Sequence, residues 1–325
     1  MILVTGGAGY IGSHTVLALK EAGHEVVILD NLSRGHRDLV FSDHFEEGDL
    51  QNFPYLDSVF SKYPIQAVVH FAASSLVGES MKDPESYYYN NICGTLNLLR
   101  AMRKKGVIKL VFSSTAAVYG EPAVIPIMEN YPLEPTNVYG ETKVAIENML
   151  SRYYSAYGFS SISFRYFNAA GADPDGRTGE DHTPETHLIA LVLDVALGKR
   201  KNITVFGNDY PTEDGTCIRD YIHVSDLARA HVLGLDKLLS GLEGKFAFNL
   251  GNGHGYSVLD IVEKAREVTG RYIPSLEGER REGDPPILVA SSEKAESVLG
   301  WQRRYPDIRD IISTAWNWHL KRFGS

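Results

Sequence analysis

Two short stretches carry side chains whose types and spacing can do chemistry. In Tyr139-Gly140-Glu141-Thr142-Lys143 a phenol and an ammonium stand four residues apart, which on a helix puts them on one face. A tyrosine with its ordinary pKa of about 10 is a poor base near neutrality. A lysine cation beside it, joined by a second positive charge, favours the phenolate and brings proton transfer toward the working range. Ser113-Ser114-Thr115 ends an apolar run, and a hydroxyl there can share a substrate proton with the tyrosine. Many helices hold Tyr and Lys four apart by chance. The pair gains meaning from its company, because ligands of parallel sheets bind at the C-terminal ends of strands.

The second stretch is Thr5-Gly6-Gly7-Ala8-Gly9-Tyr10-Ile11-Gly12, between a short apolar strand and a helical pattern. Gly6 suits the tight turn, Gly9 lets a pyrophosphate approach the backbone, and Gly12 allows close packing of helix on strand. The helix N-terminus then faces the anion. Asp30 ends the next strand, where a carboxylate accepts from a ribose 2′-hydroxyl and disfavours a 2′-phosphate. That combination points to NAD as cofactor rather than NADP, with Arg34 nearby weakening the preference. Asp49, in Glu47-Gly48-Asp49-Leu50, ends another expected strand and can accept from an adenine amino group; a loop or helix-capping Asp is the alternative.

The elements that must position these groups read as strand–helix repeats. Apolar runs at 2–4, 26–29, 67–71, 109–113, 161–165 and 245–249 alternate with helical patterns at 11–22 and 90–104. Nearly continuous apolar strands between helices predict an α/β fold, a Rossmann-type doubly wound parallel sheet, with a smaller mixed α/β lobe for the substrate. Residues 171–185 and 207–216 are dense in Gly, Pro and charge and read as loops of that lobe, with further helices near 257–269 and 306–321. The expected division is 1–170 with a returning segment near 218–253 for the cofactor domain, and 171–217 with 254–325 for the lobe. The chain's 325 residues suffice for both. Its 32 basic and 41 acidic residues, net −9, lack the concentration of Lys and Arg that a nucleic-acid groove needs. No long apolar stretch suggests a membrane span. The two cysteines, Cys93 and Cys217, form no disulfide or metal pattern, and a cytoplasmic setting is expected. The 11 histidines include no HExxH and no compact His/Asp cluster, so no metal site is expected. His223 is read as fixing a local turn.

Longer segments make a resemblance specific. TGGAGYIGSH (5–14), LDNLSRG (29–35), HFAA (70–73), VGES (77–80), Tyr89-Asn90-Asn91 with Gly94-Thr95, SSTAAVYG (113–120), YGETK (139–143), RYFNAAGA (165–172), TEDGTCIRDYIHVSDLA (212–228), NLGNG (249–253) and REGDPP (281–286) run nearly the length of the chain. The sequence resembles the extended short-chain dehydrogenase/reductase superfamily and, within it, the UDP-glucose 4-epimerase family. The resemblance implies tightly held NAD and interconversion of UDP-galactose and UDP-glucose. C4 of the sugar is oxidised, the bound 4-keto sugar rotates about its link to the diphosphate, and it is reduced again on its other face. Tyr139 would take the proton of the 4-hydroxyl, Lys143 would hold the cofactor ribose, and Thr115 would bond the reacting oxygen.

By the same resemblance the cofactor would meet Gly6, Gly9, Tyr10, Ile11, Gly12, Asp30, Asn31, Asp49, Leu50, Phe71, Ala72, Asn90, Lys143 and Tyr166. The nucleotide sugar would meet Thr115, Tyr139, Asn168, His187, Leu188, Arg219, Arg281, Asp284 and Leu288. The arginines would clamp the pyrophosphate and Asp284 would accept from the uridine ribose. His187 stands where relatives often have Asn, and Ser75 where many have a Lys beside the cofactor. Leu288 occupies a position whose bulk sets the room around the sugar 2-substituent, and it is smaller than the Tyr of strict enzymes. Activity on N-acetylated UDP-sugars or UDP-uronates therefore stays open. Dehydratases of this fold commonly carry an Asp-Glu pair directly after the active-site Thr, and related decarboxylases a Glu nearby; Ala116-Ala117 follow here. A silent NAD-binding protein is disfavoured by the intact Thr115, Tyr139 and Lys143. A homodimer is expected, with Val144, Ile146, Leu150 and Tyr153 serving either an interface or the core.

Overall fold

A computed structural model describes residues 1–281 and 285–324. The strands in chain order are β1 (Ile2–Thr5), β2 (Val26–Asp30), β3 (His44–Glu47), β4 (Ala67–His70), β5 (Lys109–Thr115), β6 (Ser160–Tyr166), β7 (Asn168–Ala170), β8 (Ile203–Phe206), β9 (Ile218–His223), β10 (Lys245–Leu250), β11 (Gly255–Ser257), β12 (Ser275–Gly278) and β13 (Ile287–Leu288). The helices are α1 (Tyr10–Glu21), α2 (Phe53–Lys62), two single turns α3 (Val77–Ser80) and α4 (Pro84–Tyr87), α5 (Gly94–Lys104), α6 (Val138–Tyr157), α7 (Leu188–Ala196), α8 (Val224–Leu239), α9 (Val258–Thr269), α10 (Glu293–Leu299) and α11 (Ile308–Phe323).

Seven strands form one sheet in the order β10-β6-β5-β4-β1-β2-β3, every neighbouring pair parallel. The order reverses at β1/β4, the switch point at which doubly wound sheets open a crevice for a ligand. The central strands β1, β2 and β4 are largely apolar on both faces because both are covered. Ile2, Val4, Ile28, Val69 and Val111 pack in one buried cluster with Val16 of α1 and Leu235 of α8. Leu3, Val27, Leu29, Val68 and Phe112 pack in another with Leu56 of α2, Leu99 of α5 and Ile146 of α6.

The smaller lobe holds two little sheets. In one, β9 pairs with β7, β11 and β13; in the other, β8 pairs with β12. Its helices α7, α9 and α11 bury Leu193, Ile261 and Ile312 together. Here the structure corrects one expectation. The strand at 218–223 belongs to the lobe's sheet, so the chain rejoins the large sheet with α8 and β10. The cause is the pairing of Asn168–Ala170 with Tyr221–His223, which draws β9 away from the large sheet. Ile146 and Leu150 of α6 are core residues, which settles the interface-or-core alternative for those two. No helix among the described residues is long and apolar enough to cross a membrane.

Candidate active site

β5 delivers Thr115 at its C-terminal end, and α6 begins beside it. Asn137 caps α6 by accepting from the Gly140 amide at 2.9 Å. A Cβ on Gly140 would lie 2.6 Å from the Ala117 carbonyl oxygen, so glycine here lets the first turn of α6 settle onto the turn after Thr115. Tyr139 is thereby brought beside Thr115, whose side chain favours its phenolate. The Tyr139 backbone N–H donates to Ser80 Oγ at 3.2 Å. The Thr142 hydroxyl donates to the Tyr139 carbonyl at 2.7 Å and accepts from Asn91 Nδ2 at 3.0 Å. The base candidate is therefore fixed from three directions by polar groups.

Lys143 is buried, and its Nζ donates to the Ser113 carbonyl at 2.7 Å. It lies 5.6 Å from the Tyr139 ring centre and 4.8 Å from that of Phe112. Burial drives the Lys143 ammonium down to about 7, against a partial counter-pull from Glu147. Burial also pushes the Tyr139 phenol up to about 12, with the Thr115 side chain pulling the other way. The sequence suggests a phenol eased toward ionisation by its lysine; in the protein alone, desolvation dominates both groups. The phenolate needs further positive charge in the pocket.

The glycine-rich turn lies at the mouth of the same crevice. Gly6 has φ +74°, a left-handed conformation that costs glycine little. A Cβ on Gly12 would sit 2.0 Å from the Gly6 carbonyl oxygen, so α1 packs on this turn only with glycine there. At Gly9, the N-cap of α1, a Cβ would meet only the Gly6 carbonyl oxygen, at 3.5 Å. That open cradle of backbone at a helix N-terminus fits a pyrophosphate. Asp30 is buried at the end of β2 and accepts from the Ala8 and Leu32 amides at 3.0 and 2.8 Å. Burial raises its carboxyl and these amides oppose the shift. Leu32 has φ +57°, an uncommon conformation for a non-glycine residue. Asn31 Nδ2 donates to Asp49 Oδ2 at 2.8 Å, so the ends of β2 and β3 form one polar edge above Leu50. Arg34 turns away, donating to the Thr183 carbonyl at 2.8 Å and to Glu79 at 3.0 Å. The arginine that weakened the case for NAD is thus committed elsewhere.

Other predicted residues line or flank the crevice. The Phe71 and Ala72 amides both donate to the Thr5 carbonyl, at 2.9 and 3.1 Å. Asn90 Nδ2 donates to Ser74 Oγ at 3.1 Å. Tyr10 OH donates to the Gly171 carbonyl at 2.6 Å, tying α1 to the lobe, while Ile11 packs into the core beside it. Tyr166 is buried and bonds Ser113 Oγ. In the lobe, Asn168 Nδ2 donates to the Asp220 carbonyl at 3.0 Å, Arg219 Nη1 to the Pro285 carbonyl at 2.9 Å, and Leu288 pairs with Arg219 across β13/β9. Leu288 packs against the cluster of Ala116, Val118 and Phe167, beside the active-site Thr. Arg281 lies over the Phe206 ring at 4.2 Å. Asp284 lies outside the described residues. His223 accepts from the Ser225 amide at 3.0 Å and so caps α8, and Ser75 is exposed.

His187 and Leu188 open α7, but the His187 imidazole Nδ1 is turned to Glu180 at 2.7 Å and Glu185 at 3.1 Å. Glu180, His182, Glu185 and His187 come together into a cluster with donor atoms within 4.8 Å of one another. Sequence reading found no compact His cluster and missed it; the spacing Glu-x-His-x-x-Glu-x-His in a segment without periodic pattern was the available signal. Glu147, one helical turn beyond Lys143, was also missed. It receives Arg165 Nη2 at 2.6 Å, Arg165 Nε at 3.0 Å and the Ser114 hydroxyl at 2.6 Å.

A nicotinamide-dinucleotide turn joined to a Thr–Tyr–Lys constellation defines a short-chain dehydrogenase/reductase-like site. Comparison with known proteins agrees. Residues 2–251 match the NAD dependent epimerase/dehydratase family, and the chain belongs to that family. Over 319 residues it is 56% identical to UDP-glucose 4-epimerase of Halalkalibacterium halodurans, covering 98% of this chain and 95% of that one. It superposes on a crystal structure of a UDP-glucose 4-epimerase with TM-score 0.96 and 55% identity, covering 99% and 98% of the two chains. It also superposes on the Brucella ovis UDP-glucose 4-epimerase in complex with NAD, with TM-score 0.95 and 47% identity, covering 99% and 98%. Within the family it stands with the UDP-glucose 4-epimerases.

Proposed function

We propose that the chain is an NAD-dependent isomerase that interconverts UDP-galactose and UDP-glucose at sugar C4. The observation that carries this is Thr115 and Tyr139 side by side at the end of β5, with Lys143 on the same helix, the glycine-rich turn at the end of β1 and no carboxylate at 116 or 117. NAD, when bound, supplies the reversible two-electron chemistry at C4. Tyr139 takes the 4-hydroxyl proton and returns it, while Thr115 hydrogen-bonds the same oxygen as it changes hybridisation. Gly9 and the α1 N-terminus face the cofactor pyrophosphate, Asp30 and Asn31 the adenosine ribose, and Asp49 the adenine. The lobe, with its sheets of β7, β9, β11 and β13 and of β8 and β12 and its helices α7, α9 and α11, holds the nucleotide sugar. Arg219 and Arg281 meet its diphosphate and Asn168 its sugar side, so the sugar can turn while the diphosphate stays fixed. Burial of Tyr139 and Lys143 keeps water from the keto sugar.

The test is turnover of UDP-galactose by purified protein with no NAD added, with products resolved by chromatography. Formation of UDP-glucose is expected. Bound NAD without any conversion would overturn the activity and leave the cofactor site standing.

Two further expectations arise here. Asp30→Asn keeps the shape of the carboxylate and removes its charge. Charge-assisted hydrogen bonds are worth about 1.5–3 kcal/mol, so NAD affinity should fall by roughly 10–100-fold and NAD should be lost on gel filtration. Full retention would remove Asp30 from the ribose. Leu288, against Ala116 and Phe167, is a wall that discriminates by size, and such walls are worth about 1–3 kcal/mol. Leu288→Tyr should therefore depress kcat/KM for UDP-N-acetylgalactosamine by roughly 10-fold or more relative to UDP-galactose. An unchanged ratio would place the 2-substituent elsewhere.

The working unit is a homodimer in this reading. Leu96 of α5, Tyr154 and Tyr157 of α6, and Tyr88 and Tyr89 are exposed, an apolar surface on neighbouring elements. A monomer in sedimentation at micromolar concentration would contradict this. A usage of only two cysteines in 325 residues suits a reducing, cytoplasmic setting.

A further inference from the structure

We propose that Glu180, His182, Glu185 and His187 form a binding site for one divalent transition-metal ion of the zinc class, separate from the reacting centre. The site is built in the segment 171–187, which runs from β7 to α7 without helix or strand. Irregular segments of that length are uncommon in compact proteins and are often functional.

The geometry of the donors carries the assignment. Each imidazole presents Nδ1 to both carboxylates. His182 Nδ1 lies 3.1 Å from Glu180 and 3.6 Å from Glu185; His187 Nδ1 lies 2.7 Å from Glu180 and 3.1 Å from Glu185. A proton on each Nδ1 lies along one bond and serves one acceptor well, so protons satisfy two of the four contacts. A cation among the four donors satisfies all of them. Zinc bound to nitrogen and oxygen at about 2.0–2.1 Å in a tetrahedron sets its ligands about 3.3 Å apart; the four imidazole–carboxylate separations run from 2.7 to 3.6 Å and no donor pair exceeds 4.8 Å. Two imidazoles with two carboxylates select zinc, cobalt or nickel over magnesium and calcium, which take oxygen donors.

The donors are also held from behind. Glu180 is buried, with its backbone carbonyl accepting from Trp318 Nε1 at 2.9 Å. Glu185 Oε1 accepts from the Thr186 and His187 amides at 2.6 and 2.8 Å. Such outer contacts orient metal ligands. A cavity of about 310 Å³ beside the cluster gives an approach for the ion. The His182 ring meets Tyr10 of the cofactor turn edge-on at 5.9 Å, and His187 leads directly into α7. A bound ion would clamp the lobe segment between the cofactor turn and the start of α7. It takes no part in proton transfer.

The test uses tag-free, full-length protein grown with added zinc, then incubated with zinc chloride and desalted. Elemental analysis should find about one zinc per chain, and EDTA should lower the thermal midpoint. Cobalt(II) chloride added to the stripped protein should give the visible absorption of tetrahedral cobalt. His182→Gln removes one ligand and should weaken zinc binding at least about 100-fold, more than loss of an outer contact does, and abolish the EDTA effect. Glu185→Gln should do the same, and bound NAD with the circular dichroism spectrum reports folding of both variants. Substoichiometric zinc in the wild type, a thermal midpoint indifferent to EDTA, or equal competition by magnesium would each overturn the site and leave the cluster as an ion-pair network.

Discussion

Tyr139→Phe should lower kcat by about 10³-fold, within the range of roughly 10²–10⁴ that a positioned acid–base group contributes. KM should stay within a few-fold and bound NAD should be unchanged. The ring remains in its buried place against α6 and only the hydroxyl is lost. The wild-type geometry explains why that atom has no substitute. Thr115 Oγ already accepts from the Ala117 amide at 3.1 Å, and an unactivated hydroxyl is a poor base. Lys143 Nζ is held by the Ser113 carbonyl, 5.6 Å from the Tyr139 ring centre. No carboxylate stands at 116 or 117 to take over. The phenol is pushed up to about 12 by burial, so its ionisation depends on positive charge gathered beside it. Lys143, itself brought down to about 7, is the protein's own source of that charge. Lys143→Met should therefore also lower kcat, and additionally loosen NAD, which separates its role from that of Tyr139. Chromatographic turnover and the NAD released on denaturation measure both. A Tyr139→Phe variant within tenfold of the wild-type kcat would refute the assignment of the base.

What could be read in advance follows the physics of each element. β1, β2, β4, β5, β6 and β10 are legible because strands covered on both faces are largely apolar. β3 is the sheet's edge, expected only from Asp49 standing at a strand end and not from an apolar run. Its sequence is His-Phe-Glu-Glu, and its inward carboxylate Glu46 is satisfied by Tyr55, Lys62 and Tyr63 at 2.6–2.7 Å. Inward charge on an edge strand is one way to discourage pairing with another chain, and it hides the strand from an apolar pattern. The lobe strands β8, β12 and β13 span four, four and two residues, too short for a period to register. The glycine turn and Tyr139/Lys143 were legible because their spacing is local. Glu147 was not, since its meaning depends on Arg165 in another element. The Glu180 cluster was obscured in a different way. Its spacing is local, but a loop has no periodicity to say which side chains converge.

The Glu147–Arg165 pair leads to a stability result as large as the catalytic one. Both side chains are nearly buried, at 11% and 6% exposure, and the guanidinium makes a two-pronged contact with the carboxylate. Arg165 Nη1 also donates to Tyr119 OH at 2.9 Å and to the Glu129 carbonyl at 3.1 Å. Glu147→Gln would strand this cation, and removing one partner of a buried pair costs about 3–5 kcal/mol. The urea midpoint should fall accordingly. The loss should be much smaller in Glu147→Gln combined with Arg165→Met, because exchanging the whole pair for uncharged packing is often close to neutral. The site should respond to the single variant too. Glu147 holds the Ser114 hydroxyl, between the Ser113 carbonyl that receives Lys143 and the Thr115 that meets Tyr139. Glu147 is a positioning residue for both, since it fixes α6 to the end of β5 and touches neither the sugar nor the cofactor in the proposed arrangement. Its loss should lower kcat while leaving KM nearly unchanged. If Glu147→Gln is as stable as the wild type, or the double variant is no better than the single, the buried cation is not what the pair protects against.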